Sequence, residues 1–382
     1  MWATAIIAMA TSFAECSLAQ LYKEKDKNGQ FRGGPAWYMA RGLGMRWMGV
    51  LFSLFLLIAY GLIFNTVQAN SVAHAMRYAF ACPEWITGAV LALLTLLTIY
   101  AGLKGVARLM QWLVPVMALL WVAASLFVTV LHIDQFPDVI AAIFKSAFGW
   151  REAASGALGY TVSQALTAGF QRGMFSNEAG MGSTPNAAAA AASWPPHPAA
   201  QGIVQMIGVF TDTIIICSAS AMIILLSGPL PHPSGTVGIQ LVQQALVNLV
   251  GGWGAGFVSL IVGLFAFSSI TVNYLYAENN LIFLKLDSRH SRNVLRVSVI
   301  AMIMTGALLS MPVVWQLADV IMALMAITNL TAILLLSPVV TLIAQDYLRQ
   351  RKLGLKPVFD PTRYPEIEAQ IAPGSWDDLP RQ

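Results

Sequence analysis

The chain has 382 residues, of which 57% are hydrophobic and only 10% charged, with a net charge of +4 and a mean hydropathy of +0.66. Soluble domains carry about 25% charged residues, so this composition excludes an ordinary soluble protein and indicates an all-α protein embedded in a lipid bilayer. The basic residues lie in loops between apolar runs, which argues against nucleic-acid binding.

Nine apolar segments, lettered A to I, approach the roughly 20 residues that a membrane crossing needs. In chain order they are 1–22, 47–69, 86–103, 111–131, 159–192, 202–226, 255–284, 292–311 and 317–344. Between F and G, residues 236–250 could form an amphipathic interfacial helix or the start of a long tilted helix G. Residues 345–382 form a charged, proline-containing tail that we expect to be solvated.

The Lys and Arg residues are divided unequally between alternating loops. Loops A–B, C–D and G–H and the tail carry 18 of them, whereas loops B–C and D–E carry three. By the positive-inside rule the richer set is cytoplasmic. This predicts a multi-pass protein of the plasma membrane, which is the inner membrane in a bacterium, with a cytoplasmic C-terminus and Met1 outside.

Segment E reads GYTVSQALTAGFQRGMFSNEAGMGSTPNAAAAAA and is too long for one straight crossing. A helix of this length would span about 50 Å, whereas the hydrocarbon core is about 30 Å thick. Clustered glycines, then Ser183, Thr184 and Pro185 before an alanine run, predict two half-helices around an unwound centre. Unwound backbone at membrane depth must be satisfied by protein, water or a ligand, and transporters use it to hold substrate and ion.

Close helix packing is the alternative explanation for these glycines. It does not account for four polar residues in the same stretch, which are Arg172, Ser176, Asn177 and Glu178.

Ionisable residues elsewhere in the apolar segments would each cost about 2.5–3.5 kcal/mol if unpaired at mid-bilayer. Glu15 of segment A and Asp212 of segment F lie deep. They could form internal hydrogen bonds, pair with Arg172, coordinate a cation or relay a proton. With Arg172 and Glu178 they make a possible intramembrane charge network.

Four further polar residues give weaker signals. Ser268 and Ser269 place two hydroxyls mid-membrane, where they could bond back to their own helix or bind a small cation. Glu278 and Asp319 lie near segment ends and are expected to snorkel to the interface.

The cysteines and histidines form no CxxC pair and no HExxH motif, and we expect no disulfide framework and no transition-metal site. Without a nucleophile–base pair or a metal site, the chain is not expected to be an enzyme. A channel is also disfavoured, because no repeated filter-like loop is present.

The stretch GFQRGMFSNEAGMGSTPNAAAAAA closely resembles the signature of the alanine or glycine:cation symporter family. AECSLAQLYK with GQFRGGPAWYM, DTIIICSASAMIILLSG, FAFSSI with YAENN, and WQLADVIMALMAITNLTAILLL match other blocks of the family in order. The resemblance implies two inverted five-helix repeats with two broken helices, residues 1–131 being the remainder of the first and 159–344 the second. It also implies uptake of alanine or glycine by alternating access, driven by sodium or protons and without another cofactor.

Carried over by position, the resemblance makes segment E the second broken helix. It implies that the substrate is bound by Gln68, Thr167, Phe170, Phe175, Ser176 and Asn177. It implies a sodium site at Ser268 and Ser269.

The family's earlier glycine-rich block, which would form the first broken helix, has no counterpart in this chain. Four segments precede E and four follow it, whereas an inverted repeat of five needs one more before A. We therefore expect the chain to lack about two N-terminal helices. The alternative to a symporter is then a non-transporting remnant, or a membrane scaffold or binding protein.

Overall fold

The computed structural model describes residues 1–148, 158–228 and 238–376. Within these ranges the protein is almost entirely helical, and its one sheet is a two-stranded antiparallel hairpin. Strand β1 (Glu24–Lys25) pairs with β2 (Phe31–Arg32). We call the end of the bundle that carries this hairpin the hairpin end.

Seven helices precede the first gap in the description. They are α1 (Trp2–Leu21), α2 (Pro35–Arg41), α3 (Arg46–Ile58), α4 (Phe64–Phe80), α5 (Glu84–Ile99), α6 (Gly102–Leu131) and α7 (Phe136–Ala147). A π-helical turn, Ala59–Ile63, joins α3 to α4 without interrupting the rod.

Ten helices follow. They are α8 (Leu158–Asn177), α9 (Thr184–Ala190), α10 (Pro198–Val209), α11 (Cys217–Leu226), α12 (Ile239–Val250), α13 (Trp253–Phe283), α14 (Arg289–Leu308), α15 (Met311–Leu335), α16 (Ser337–Lys352) and α17 (Pro365–Glu368). A second π-helical segment, Phe210–Ile216, joins α10 to α11, and a 3₁₀ turn, Pro361–Arg363, precedes α17.

Six continuous helical segments in the described ranges are long and apolar enough to cross a membrane, so the predicted count of nine is not confirmed. They are Trp2–Leu21, Arg46–Phe80, Lys104–Leu131, Pro198–Leu226, Trp253–Phe283 and Met311–Leu335. Of the other predicted segments, α5 has only 16 residues, α14 begins in an arginine-rich stretch, and segment E is divided.

The division of segment E confirms the predicted interruption. Helix α8 ends at Asn177 and α9 begins at Thr184, and the non-helical residues 178–183 between them are called the break below. Gly180 and Gly182 adopt φ angles of +88° and +81°, which glycine reaches without steric cost. A Cβ atom on Gly182 would lie 2.7 Å from side-chain atoms of Phe52 and Pro35, so the packing there also requires glycine.

Helix α12 is separate from α13, which decides between the two interpretations of residues 236–250. Gly251, with a φ of +92°, and Gly252 end one helix before Trp253 starts the next. The first two residues of the predicted segment lie outside the described ranges, as do Arg151 of loop D–E and residues 377–382 of the tail.

The expected solvated tail is exposed at residues 351–356, but parts of residues 345–376 are buried. Helix α16 runs on to Lys352, and the following segment, residues 353–376, packs across the hairpin end and is called the strap below. Its side chains Phe359, Ile367 and Trp376 are each at most 5% exposed. Composition alone suggested solvent, but these spaced apolar residues bury themselves against the rest of the chain.

Candidate functional site

The backbone of the break is held by side chains from α1, α2 and α15. One carboxylate oxygen of Glu15 accepts from the Gly180 N–H at 3.3 Å, and the other accepts from Asn329 Nδ2 at 2.8 Å. Asn329 Nδ2 also donates to the Gly180 carbonyl at 3.0 Å, and the Tyr38 hydroxyl donates to Asn329 Oδ1. All three side chains are fully buried, so protein groups satisfy this part of the unwound chain.

A second set of bonds ties the far side of the break to α13. Asn186 Nδ2 donates to the carbonyls of Gly182 at 3.1 Å and Ser183 at 2.8 Å. Asn186 Oδ1 accepts from Asn279 at 2.7 Å and from Asn280 at 3.0 Å. These asparagines are not among the predicted site residues, although amides inside apolar helices are a recognisable signal of helix–helix bonding.

The end of α8 bonds to the second π-helical segment. The Ser176 hydroxyl donates to Asp212 Oδ2 at 2.7 Å, and Asn177 Nδ2 donates to Thr213 Oγ1 at 2.9 Å. Two predicted substrate residues and one predicted member of the charge network therefore meet beside the break. π-Helical turns recur at functional sites, where the extra residue displaces side chains from the regular helical face.

Arg172 pairs with Asp319 of α15. The Arg172 Nη2 and Asp319 Oδ2 atoms are 3.0 Å apart, and the guanidinium lies 4.7 Å from the centroid of the Trp315 ring. Within the described ranges, three carboxylates around the break make no ion pair with a basic side chain. They are Glu15, Glu178 and Asp212.

The other predicted substrate residues lie at different depths. The Phe175 ring packs against Phe64, with centroids 5.6 Å apart, and against Trp315 at 4.8 Å. Phe170, half exposed, and Thr167 line an outer cavity of about 640 Å³ together with Asp319. Phe170 also lines a smaller cavity of about 100 Å³ that reaches Asn177 and Ala179. The structure thus brings both Phe175 and Phe170 close to the break.

Gln68 is half-buried on α4, one helical turn beyond Phe64, which contacts Phe175. Its side chain makes no hydrogen bond to the part of the protein that the structure describes.

The two predicted sodium ligands differ in their bonding. Ser268 donates to the carbonyl of Phe265 at 2.8 Å, so its hydroxyl bonds back to its own helix. The Ser269 hydroxyl is half-buried and has no hydrogen-bond partner among the described residues. Across the same ranges, no group of three or more His, Cys, Asp or Glu side chains could hold a metal ion.

Comparison with known proteins gives the family. The sodium:alanine symporter family matches residues 1–361. The chain is 67% identical over 382 residues to the uncharacterized transporter YaaJ of Escherichia coli, and the alignment covers 100% of this chain and 80% of YaaJ. It is 45% identical over 378 residues to the amino-acid carrier protein AlsT of Bacillus subtilis, covering 99% of this chain and 78% of AlsT.

It is also 46% identical over 359 residues to the probable sodium/glutamine symporter GlnT of Bacillus subtilis, covering 94% of this chain and 73% of GlnT. The expectation of an N-terminal truncation is not borne out by these matches. A multi-pass helical fold, a helix interrupted beside buried polar groups and matches to transporters agree with one another. The chain therefore belongs to the sodium:alanine symporter family, whose members are membrane transporters and not enzymes.

Proposed function

We propose that the protein imports a small amino acid, alanine or glycine, together with sodium. The observation that carries the proposal is the break, which lies among the carboxylates of Glu15, Glu178 and Asp212, and no basic side chain in the described residues pairs with them. Uncompensated charge inside a membrane is costly, and a bound cation offsets that cost. Sodium is favoured because the family is defined by sodium symport, and protons are the second candidate.

The substrate lies against the end of α8 and the break. Phe175, Ser176 and Asn177 form its inner contacts, Gln68 approaches from α4, and Phe170 and Thr167 stand on the entry side. Tight aromatic packing of Phe175 between Phe64 and Trp315 favours a ligand with a small side chain. Glutamine is a second candidate substrate, because the 46%-identical GlnT is named a sodium/glutamine symporter.

Alternating access follows from the way the two half-helices are held. Helix α8 is tied to α15 by the Arg172–Asp319 pair, whereas α9 is tied to α13 by Asn186. In an arrangement of two inverted repeats, residues 1–131 and 159–344, movement of one bundle against the other opens opposite sides of the break in turn. The hairpin end, with its excess of basic residues, faces the cytoplasm of a cell whose plasma membrane holds the protein.

Uptake into proteoliposomes tests this function. The purified chain is reconstituted, and labelled alanine uptake is measured under an inward sodium gradient, with potassium replacing sodium as the control and a proton gradient as a third arm. We expect sodium-dependent accumulation that unlabelled glycine inhibits. Alanine binding without uptake under any gradient would favour a binding or scaffold protein, and stronger inhibition by glutamine than by glycine would change the substrate.

A further inference from the structure

We propose that Lys23 and Gln20 are positioning residues that couple the strap to α9, the half-helix that follows the break. The inference rests on the proposed symport function, in which one bundle of helices moves against the other. It concerns the rate at which the protein reorients, and not the binding of substrate or sodium.

Gln20 ties the C-terminal end of α9 to α1. The last carbonyls of a helix have no partner within that helix. Gln20 Nε2 donates to the carbonyl of Ala188, and to the carbonyl of Ala191 at 2.9 Å. The Gln20 side chain is fully buried, so these bonds are shielded from solvent. Because Asn186 bonds to α13 near the start of α9, the half-helix is held at both ends.

Lys23 fixes the direction of the Gln20 amide. Its Nζ atom donates to Gln20 Oε1 at 2.7 Å, and an ammonium group has donors only. The amide oxygen therefore faces Lys23, and the amide nitrogen faces the carbonyls of α9. An amide without this donor is free to turn and present its oxygen to those carbonyls, which breaks both bonds. Lys23 thus acts on α9 through Gln20.

The strap holds Lys23 in place. The ammonium group lies 4.5 Å from the centroid of the Trp376 ring and 4.2 Å from the centroid of the Phe31 ring in β2. Cation–π contacts are strongest where the cation is desolvated. The Ser375 hydroxyl donates to the Lys23 carbonyl at 2.8 Å. Trp376 Nε1 also donates to the Leu21 carbonyl at 3.2 Å. The docked strap therefore fixes both the backbone and the ammonium group of Lys23.

The burial of Lys23 without a carboxylate points to coupling and not to simple stabilisation. Lys23 is 4% exposed, and its contacts within the described ranges include no ion pair. Burial, with a smaller effect from Lys25, lowers its pKa to about 8, so most of the side chain is still charged at pH 7. A buried cation held by an amide and two aromatic rings costs stability. An apolar side chain of similar length would fill the space without this cost.

Steady-state uptake into proteoliposomes separates reorientation from binding. In Lys23→Met and Gln20→Met we expect kcat to fall about five- to tenfold, the equivalent of one hydrogen bond. The alanine KM and the half-maximal sodium concentration should stay within about twofold of the wild type, because no ligand contact is removed. Lys23→Arg keeps a cation over the two rings and should restore most of the kcat. Unchanged kcat in Lys23→Met and Gln20→Met would overturn the proposal.

Thermal unfolding in detergent distinguishes coupling from a merely structural role of Lys23. Lys23→Met should unfold at the wild-type temperature or above it, because the substitution removes a buried charge. A fall in kcat without a fall in the unfolding midpoint supports the coupling. A fall in both would make Lys23 a structural residue and overturn the proposal.

A double-mutant cycle tests the path from the strap to α9. Trp376→Leu removes the ring beside Lys23 and should lower kcat, but in the Gln20→Met background it should lower kcat no further. Trp376→Phe keeps a ring for the cation and should retain most of the kcat. Effects of Trp376→Leu and Gln20→Met that multiply as independent changes would overturn the coupling.

Tyr22→Phe is the matched control, because it deletes another bond between the strap and the end of α1. The Tyr22 hydroxyl donates to Gln370 Oε1 at 2.8 Å, and this bond includes neither Lys23 nor Gln20. We expect wild-type kcat in this variant. A fall equal to that in Trp376→Leu would show that any loosening of the strap slows transport, which contradicts a path through Lys23.

Hydrogen exchange of the purified protein gives a readout that does not need transport. Amide exchange at residues 188–191 should rise about five- to tenfold in Trp376→Leu and Gln20→Met and stay at the wild-type rate in Tyr22→Phe. Equal exchange in all three variants would overturn the coupling, even where a variant is too unstable for uptake assays. If exchange responds as expected but the wild type shows no sodium-coupled uptake, the proposed function fails and the tie between strap and α9 stands.

Discussion

Asn186 and Asn329 each bond the backbone of the break with the amide nitrogen, while the amide oxygen accepts from another helix. An amide suits this place because it donates and accepts without bringing a charge into the bilayer. Glu15 adds two acceptor positions from α1. These three side chains thereby pair the Gly180 N–H and the carbonyls of Gly180, Gly182 and Ser183.

Replacing Asn186 is expected to cost more stability than replacing one of its partners. Asn186→Leu strands the carbonyls of Gly182 and Ser183 and removes the acceptor of two asparagines, for a loss of about 2–4 kcal/mol. Asn279→Ala leaves the bond from Asn280 in place, removes only the bonds to Asn186 and the Gly33 carbonyl, and should cost about half as much. Unfolding midpoints in detergent measure both, and equal losses would contradict a central role for Asn186.

The two serines of α13 give an internally controlled test of the sodium site. Ser269→Ala is expected to raise the sodium requirement for uptake, because its hydroxyl is not engaged with the described protein, whereas Ser268 already bonds back to Phe265. Ser268→Ala should change it little. Sodium titrations of uptake compare the two, and an unchanged sodium requirement in Ser269→Ala would remove that residue from the site.

At the scale of secondary-structure elements, the break depends both on the left-handed backbone angles of its glycines and on the close packing around them. Gly182 and Gly228 both have left-handed φ angles, of +81° and +75°, but among the described residues only Gly182 of the two has close neighbours for an added Cβ atom. Gly228→Ala should therefore cost only the backbone strain, about 1–2 kcal/mol. Gly182→Ala adds a clash with Phe52 and Pro35 and should cost about 2–5 kcal/mol. Thermal unfolding in detergent compares them, and equal midpoints would show that the packing at Gly182 relaxes freely.

The interruption of segment E was predictable because glycine and proline act on their own neighbourhood of the chain. The boundary between α12 and α13 could not be predicted, because the apolar pattern around Gly251 and Gly252 fits both a separate helix and the start of one long helix. The partner of Arg172 also escaped prediction, because Asp319 is 147 positions away and only helix packing brings them together. The asparagines that hold the break can be read from the sequence, but their hydrogen-bond partners depend on which helices become neighbours.

At the scale of the whole molecule, the strap joins the last helices to the first loop. Phe359 N–H donates to the Pro196 carbonyl at 3.0 Å, and Trp376 Nε1 donates to the Leu21 carbonyl at 3.2 Å. Lys23 lies 4.5 Å from the centroid of the Trp376 ring, and burial lowers its pKa to about 8. The hairpin end is thus covered by residues from both ends of the described chain.

Asp346 of α16 anchors this cover and makes it sensitive to acid. Burial alone would raise its pKa, but hydrogen bonds from His197, Tyr364 and Arg349 outweigh burial and bring the pKa down to about 2. A carboxyl whose pKa is lowered by folding stabilises the fold above its ordinary pKa of 3.8. That contribution is lost as the pH falls from about 4 towards 2.

We therefore expect Asp346→Asn to lower the unfolding midpoint at pH 7, because the hydrogen bonds from His197 and Arg349 lose a charged acceptor. The difference from the wild type should shrink as the pH falls below about 4. Midpoints measured across this range, with proteolysis of the strap as a second readout, check the sign. A difference that grows in acid would contradict it.

The hydrogen bond from Trp376 to the Leu21 carbonyl also constrains the order in which the protein folds, because 355 positions separate the two residues. Translation delivers residues in order, so the carbonyl at the end of α1 must wait for 355 further residues before its partner is made. The helices can insert one after another, but the cover over the hairpin end can close only once Trp376 has left the ribosome.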